Sequence, residues 1–239
     1  MLRALPLGLA IAALALPLVA QEEAAFDAGL AAKDRGHHAT AIRAWLPLAE
    51  AGSAEAANNI GHMYEEGLGV AQNYQTAMDW YRKAAQQDLP AAQHNVGLLY
   101  YNGYGVAANP REGVRWFRLA ANQQLAESEY MLGVAYQSGE GVDLDYTEAR
   151  RWFLLSARQG YGNAQMMYAY LLLAGDGAPD SEPAPGRAYV WAQVAARQGE
   201  TSADDIRALA VILMEDEDVA EADALVDLCL TQGLASCPE

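Results

Sequence analysis

The sequence predicts an all-α fold, a right-handed superhelix built from antiparallel helix pairs, and three observations carry that expectation. Glycines recur in pairs one residue apart, at Gly67 and Gly69, Gly103 and Gly105, Gly139 and Gly141, and Gly175 and Gly177, each pair 36 residues after the last. Ahead of them Gly61, Gly97, Gly133 and Ala169 hold one register, and Tyr64, Tyr100, Tyr136 and Leu172 another. Behind them come Trp80-Tyr81, Trp116-Phe117, Trp152-Phe153 and Trp191-Ala192, each followed by a small pair: Ala84-Ala85, Ala120-Ala121, Ser156-Ala157 and Ala195-Ala196. A fixed period of this length with helical spacing inside it is the mark of a solenoid, in which each hairpin buries its apolar face on its neighbours.

Taken in chain order, residues 1–20 carry one charge, Arg3, and an apolar run from Ala4 to Leu18 broken by Pro6 and Pro17, with small Ala20 before Gln21-Glu22-Glu23. That is the outline of an export signal cleaved after Ala20, since a membrane anchor needs roughly 20 unbroken apolar residues. Residues 21–53 read as a degraded first copy, an N-terminal capping pair in which Trp45, Leu48, Ala49 and Gly52 stay close to register and the glycine loop shrinks to Asp34-Arg35-Gly36. Full copies follow at 54–89, 90–125 and 126–161, and a divergent one at 162–199.

Within a copy, helix A is expected from about Ala56 to Glu66 and helix B from about Tyr74 to Gln87. Ala57, Ile60, Gly61 and Tyr64, then Ala77, Trp80, Tyr81, Ala84 and Ala85, follow three-and-four spacing. The Gly-x-Gly between them ends helix A in a left-handed turn, and the glycine within helix A marks a close helix crossing. The fourth copy arrives three residues late, after an enlarged loop at 178–186 with three prolines. Residues 200–239 should form capping helices, one opened by Ser202 with Asp204-Asp205 and reaching about Met214, the next from Val219 to Leu230. Cys229 and Cys237 would close a small loop in an oxidising compartment and stand as free thiols otherwise. With no histidine near them they make a poor zinc site.

The motif Ile60-Gly61-His62-Met63-Tyr64-Glu65-Glu66-Gly67-Leu68-Gly69-Val70, repeated as Val96-Gly97-Leu98-Leu99-Tyr100-Tyr101-Asn102-Gly103-Tyr104-Gly105-Val106, resembles the Sel-1-like repeat. Three copies are near-complete; the fourth departs at Leu172, Ala169 and the loop. The resemblance implies a curved superhelix related to tetratricopeptide arrays that acts as a scaffold or adaptor. Exported bacterial members are similar to regulators and interaction partners in the cell envelope.

Charge narrows the partners. Fifteen Lys and Arg face thirty-one Asp and Glu, a net charge of −16, and loss of Arg3 with the leader would make it −17. Nucleic acid needs a basic stripe that is missing here, and anionic lipid surfaces are repelled for the same reason. Residues 200–239 hold eleven acids and one base, Arg207, a field that either solubilises the chain or steers a basic partner. The expected partner is another protein or peptide in the periplasm or medium, with no integral membrane segment once the signal is removed.

Helix A positions left over from packing form a stripe: Asn58, His62 and Glu65; His94, Leu98 and Tyr101; Tyr130, Val134 and Gln137; Met166, Tyr170 and Leu173. In a solenoid of this type helix A lines the concave side. A strip running from mixed polar to aromatic suits an extended peptide or a partner helix. The later rows could instead pack against the C-terminal helices.

Enzyme chemistry finds no support. The only lysines, Lys33 and Lys83, follow Leu30 and Trp80 at the offset where a lactam hydrolase needs serine. No nucleophile elbow, phosphate loop or His-Glu-x-x-His helix is present. Glu65-Glu66 ends helix A, and Asp204-Asp205 occupies a helix first turn, where negative charge favours the dipole, so neither pair reads as a glycosidase dyad. No cofactor or metal is expected; His62, His94 and Glu65 would be the candidate ligands. The alternative to a protein scaffold is an envelope-polymer or carbohydrate-binding protein. Against it, Trp80, Trp116, Trp152 and Trp191 share one register and should be buried.

Overall fold

A computed structural model describes residues 7–179 and 181–239, with side chains from 19 onward. Of the expected signal at 1–20, residues 1–6 lie outside the described residues and 7–20 fall within the first helix. Among these residues the chain is all-α: α1 (Leu7–Asp34), α2 (His38–Glu50), α3 (Ala54–Glu66), α4 (Tyr74–Ala85), α5 (Pro90–Asn102), α6 (Pro110–Ala121), α7 (Ala126–Ser138), α8 (Tyr146–Arg158), α9 (Gly162–Ala174), α10 (Pro185–Arg197), α11 (Ala203–Ile212) and α12 (Asp216–Gln232), then a 3-10 turn at Leu234–Ser236. Two compact units divide it. The first runs up to Leu99 and takes in Gly103–Ala107; the second holds Tyr100–Asn102 and Ala108–Glu239. In the first, α1 pairs with α2 and α3 with α4; in the second, α7 pairs with α8 and α9 with α10.

The two glycines of each pair do different work. Gly67 takes φ of 69° as the residue that ends α3, with its N–H donating to the carbonyl of Met63. Asn73 then returns its N–H to the Tyr64 carbonyl at 2.8 Å, and its side chain caps α4 by accepting from Thr76 N at 3.0 Å. Asn109 and Asp145 repeat this cap on α6 and α8. The second glycine is where the loop lies against the preceding hairpin. A Cβ on Gly105 would come within 2.7 Å of the Tyr74 backbone, at the start of α4.

The core is set by a ring lying on a glycine. A Cβ on Gly61 would sit 2.7 Å from the Tyr81 ring, and one on Gly133 would sit 2.5 Å from the Phe153 ring. Gly29 stands in the same relation to Trp45, so α1 supplies a helix A whose glycine escaped the repeat register. Its loop to α2 is four residues shorter than that between α3 and α4. Tyr81, Phe117 and Phe153 are fully buried, whereas the preceding Trp80, Trp116 and Trp152 are only half-buried. That corrects the expectation that all four register tryptophans are buried. Adjacent helical residues point about 100° apart, so a Trp-Tyr pair cannot place both rings in one core, and the glycine opposite selects the second.

Only the fourth copy inverts this choice. Ala169 replaces the glycine, Ala192 replaces the ring, and the preceding residue, Trp191, turns inward to 0% exposure. Its ring meets Tyr168 edge-on at 5.6 Å.

A buried position also follows the period, apolar at Ala57 and polar at Gln93, Glu129 and Gln165 on successive A helices. Gln165 donates to the Ala157 carbonyl at 3.2 Å, and Glu129 accepts from Gln159 Nε2 at 2.7 Å. Burial raises the Glu129 pKa above the usual carboxylate value, with the Gln159 bond and Arg151 opposing it. A carboxyl whose folded pKa is raised costs stability while it is ionised, and that cost fades as pH falls through its folded pKa towards the unfolded one. Glu129→Gln, the residue of the equivalent sites, should therefore stabilise the chain by about 1 kcal/mol at neutral pH. Urea titrations of both proteins should show this margin shrinking as the solution is acidified.

After α10 the pattern stops. Both α11 and α12 pack on α10. Ser202 has helical backbone angles and makes no side-chain cap, contrary to its expected role, and α12 opens earlier than expected, at Asp216, where Glu215 N donates to Asp218. Cys229 and Cys237 are joined in a disulfide, with Cα atoms 5.0 Å apart. The segment it holds reaches back to the repeats: Trp191 Nε1 donates to the Pro238 carbonyl at 2.7 Å, Arg158 pairs with Glu239 at 2.6 Å, and Arg187 donates to the Glu239 carbonyl.

Candidate protein-binding surface

In the first unit Asn58, His62, Glu65, His94 and Leu98 are all half-buried. The rows are tied together, since Asn95 donates to Asn58 Oδ1 at 3.0 Å. Glu65 accepts from the Tyr81 hydroxyl at 2.5 Å, so burial and that carboxylate push the tyrosine pKa up. The metal-ligand geometry differs from the sequence expectation. His62, Glu65 and Glu66 bring one donor atom each to within 4.8 Å of one another, and His94 is not among them. These are three donors from one helical turn, one of them already bonded to Tyr81.

In the second unit Tyr101 lies 5.8 Å from Phe117, ring to ring, and Tyr130 lies 5.7 Å from Phe153 and 5.2 Å from Tyr161. Burial, reinforced by Glu140, pushes the Tyr101 hydroxyl up to about 12, and burial raises Tyr130 too. Tyr130, Val134, Met166 and Leu173 each rest one side on the core, and Gln137 is half-buried. Tyr170 differs from all of them in being 48% exposed. Side chains of this kind offer one face to a visitor while the other is fixed by packing, which limits the entropy lost on binding.

Sequence reasoning missed two features. A cleft of about 600 Å³ in the first unit is lined by apolar Phe26 and Leu48 together with Glu22, Glu23, Asp27 and Glu55. It was illegible because it joins residues from α1, α2 and the start of α3 that share no register. Beyond α10, Leu209, Ile212 and Leu213 are more than half exposed. Their apolar character reads as core in a one-dimensional pattern. Among the described residues no helix is long and apolar enough to cross a membrane.

The family is decided by a model of the Sel1 repeat, which matches four times, at residues 54–89, 90–125, 126–161 and 162–200. The chain belongs to the Sel1 repeat family. Of solved structures, a Sel1 repeat protein from Oxalobacter formigenes is 31% identical with a TM-score of 0.68, over 75% of this chain and 73% of that one. A second, c5321, is described as a protective antigen present in uropathogenic Escherichia coli strains displaying an SLR fold. It is 28% identical with a TM-score of 0.69, over 91% of this chain and 50% of that one. This Sel1 protein thus spans half the length of the antigen. No curated protein matches it. Sel1 repeat proteins are protein-interaction scaffolds and typically non-catalytic. The fold is that family's solenoid of helix pairs.

Proposed function

We propose that this Sel1 repeat protein is an exported scaffold or adaptor, periplasmic or secreted, that regulates an envelope signalling or export system by presenting its helix A faces to a partner protein. The observation that carries the reading is the half-buried helix A side chains of each unit, with exposed Tyr170 among those of the second, which vary between copies while the packing residues repeat. The disulfide supports an oxidising compartment, and the leader-like residues 1–20 support export.

Carbohydrate binding can no longer be set aside on tryptophan burial, because three register tryptophans are half-buried. Cations cover two of them: Lys83 lies 3.9 Å from the Trp80 ring centre and Arg151 lies 4.3 Å from that of Trp152. Those faces are not open stacking platforms for a sugar.

The test is site-specific photocrosslinking in native periplasm from Tyr170, with Leu155 on α8 as the control position. A single protein should crosslink from Tyr170 and not from Leu155, and Tyr170→Ser should abolish its capture. Since Tyr170 is exposed, that variant should stay within about 0.5 kcal/mol of the parent stability. Equal crosslinking from both positions, or capture of glycan rather than protein, would sink the proposal.

A further inference from the structure

Five of the exposed large apolar side chains lie between residues 209 and 230, and three of them form one helical face. Leu209, Ile212 and Leu213 are 55%, 76% and 59% exposed and follow three-and-four spacing along α11 and the residue that ends it. A cleft of about 350 Å³ adjoins this face through Leu213. Met214, Leu225 and Pro185 give it an apolar lining, with Arg187, Asp218 and Glu221 at its polar side. Soluble chains seldom leave leucine and isoleucine side by side at such exposure without a use for them.

The charge around this face is predominantly negative. Asp205 stands four residues before Leu209 on the same side of α11, and Glu215, Glu217, Asp218 and Glu221 follow it. The two bases nearby are engaged: Arg207 pairs with Asp204 at 3.0 Å, and Arg187 donates to the Glu239 carbonyl. We infer that α11 and the adjoining cleft dock a positively charged amphipathic helix from a partner protein. The apolar side of such a helix covers Leu209, Ile212 and Leu213 while its lysines or arginines meet the carboxylates. A second copy of this chain is a poor occupant, because a two-fold contact through this face sets the same acids against each other. An anionic bilayer is repelled for the same reason.

The probe is a fluorescently labelled amphipathic peptide of leucine and lysine, read by anisotropy against the full-length oxidised protein. A scrambled peptide of identical composition and a leucine/glutamate analogue serve as controls. The amphipathic cationic peptide should bind and the controls should not. Leu209→Ser with Ile212→Ser should weaken binding about tenfold or more with thermal unfolding unchanged, and Glu217→Gln with Glu221→Gln should weaken it and flatten its salt dependence. Tyr170→Ser should bind the peptide as the parent does, which keeps this result independent of the helix A reading. Three outcomes overturn the inference: the scrambled peptide binds equally well, the serine pair leaves affinity unchanged, or the chain sediments as a dimer that the serine pair disperses.

Discussion

Gly133→Ala and Phe153→Ala combined should destabilise the protein by less than the sum of the two changes made singly. Alone, the alanine methyl at 133 is forced towards the Phe153 ring, since its Cβ would lie 2.5 Å away. Overpacking of this kind costs about 1–3 kcal/mol, partly offset by the better helix propensity of alanine, about 1 kcal/mol. Phe153→Ala alone empties a fully buried site and should cost about 3–5 kcal/mol. With the ring gone, the methyl has room and fills a little of the void, so the overpacking penalty vanishes. A double-mutant cycle in urea should return a coupling of about 1–2 kcal/mol. The chain contains its own precedent in Ala169 and Ala192, where both changes occur together and Trp191 supplies the missing volume. Additive effects would mean that ring and glycine do not meet.

Loss of the disulfide should be the next largest effect. Cys229 and Cys237 are separated by eight positions, and closing so short a loop in the unfolded chain accounts for about 2.5 kcal/mol on a chain-entropy estimate. Both sulfurs are buried, so Cys229→Ala with Cys237→Ala also loosens the tail that Trp191, Arg158 and Arg187 grip. The indole of Trp191, now fully buried, should gain water and shift its emission to the red. Dithiothreitol should lower the melting temperature of the parent to that of the double variant and leave the variant unmoved. An unchanged melting temperature on reduction would show that the tail contacts hold without the bond.

The period was fully legible, because 36-residue spacing needs no knowledge of contacts, and so was the turn role of Gly67 and its equivalents. Less legible was which aromatic of each pair faces inward. Trp80 and Tyr81 are both apolar, and the choice rests on Gly61 of another helix, so only a pairing of the two registers could have found it. Asn73, Asn109 and Asp145 stood in register as helix caps and could have been read as such. The helix A positions of the stripe could be named from the pattern, but not their grading by burial. Pattern alone puts the later row of Tyr170 forward as the one that could pack on the C-terminal helices, whereas packing on Phe117 and Phe153 commits Tyr101 and Tyr130 and leaves Tyr170 presented. The face on α11 stayed hidden because apolar spacing identifies a buried stripe only when something lies over it.

The second glycine of each loop rests on main-chain and Cβ atoms: Gly105 on Tyr74 and Gln75, Gly141 on Pro110 and Arg111. A junction that inspects nothing beyond Cβ is indifferent to which copy it joins. Duplication or deletion of a whole 36-residue block therefore brings compatible surfaces together, and an array of this kind can change its copy number by recombination while each unit drifts in what it recognises.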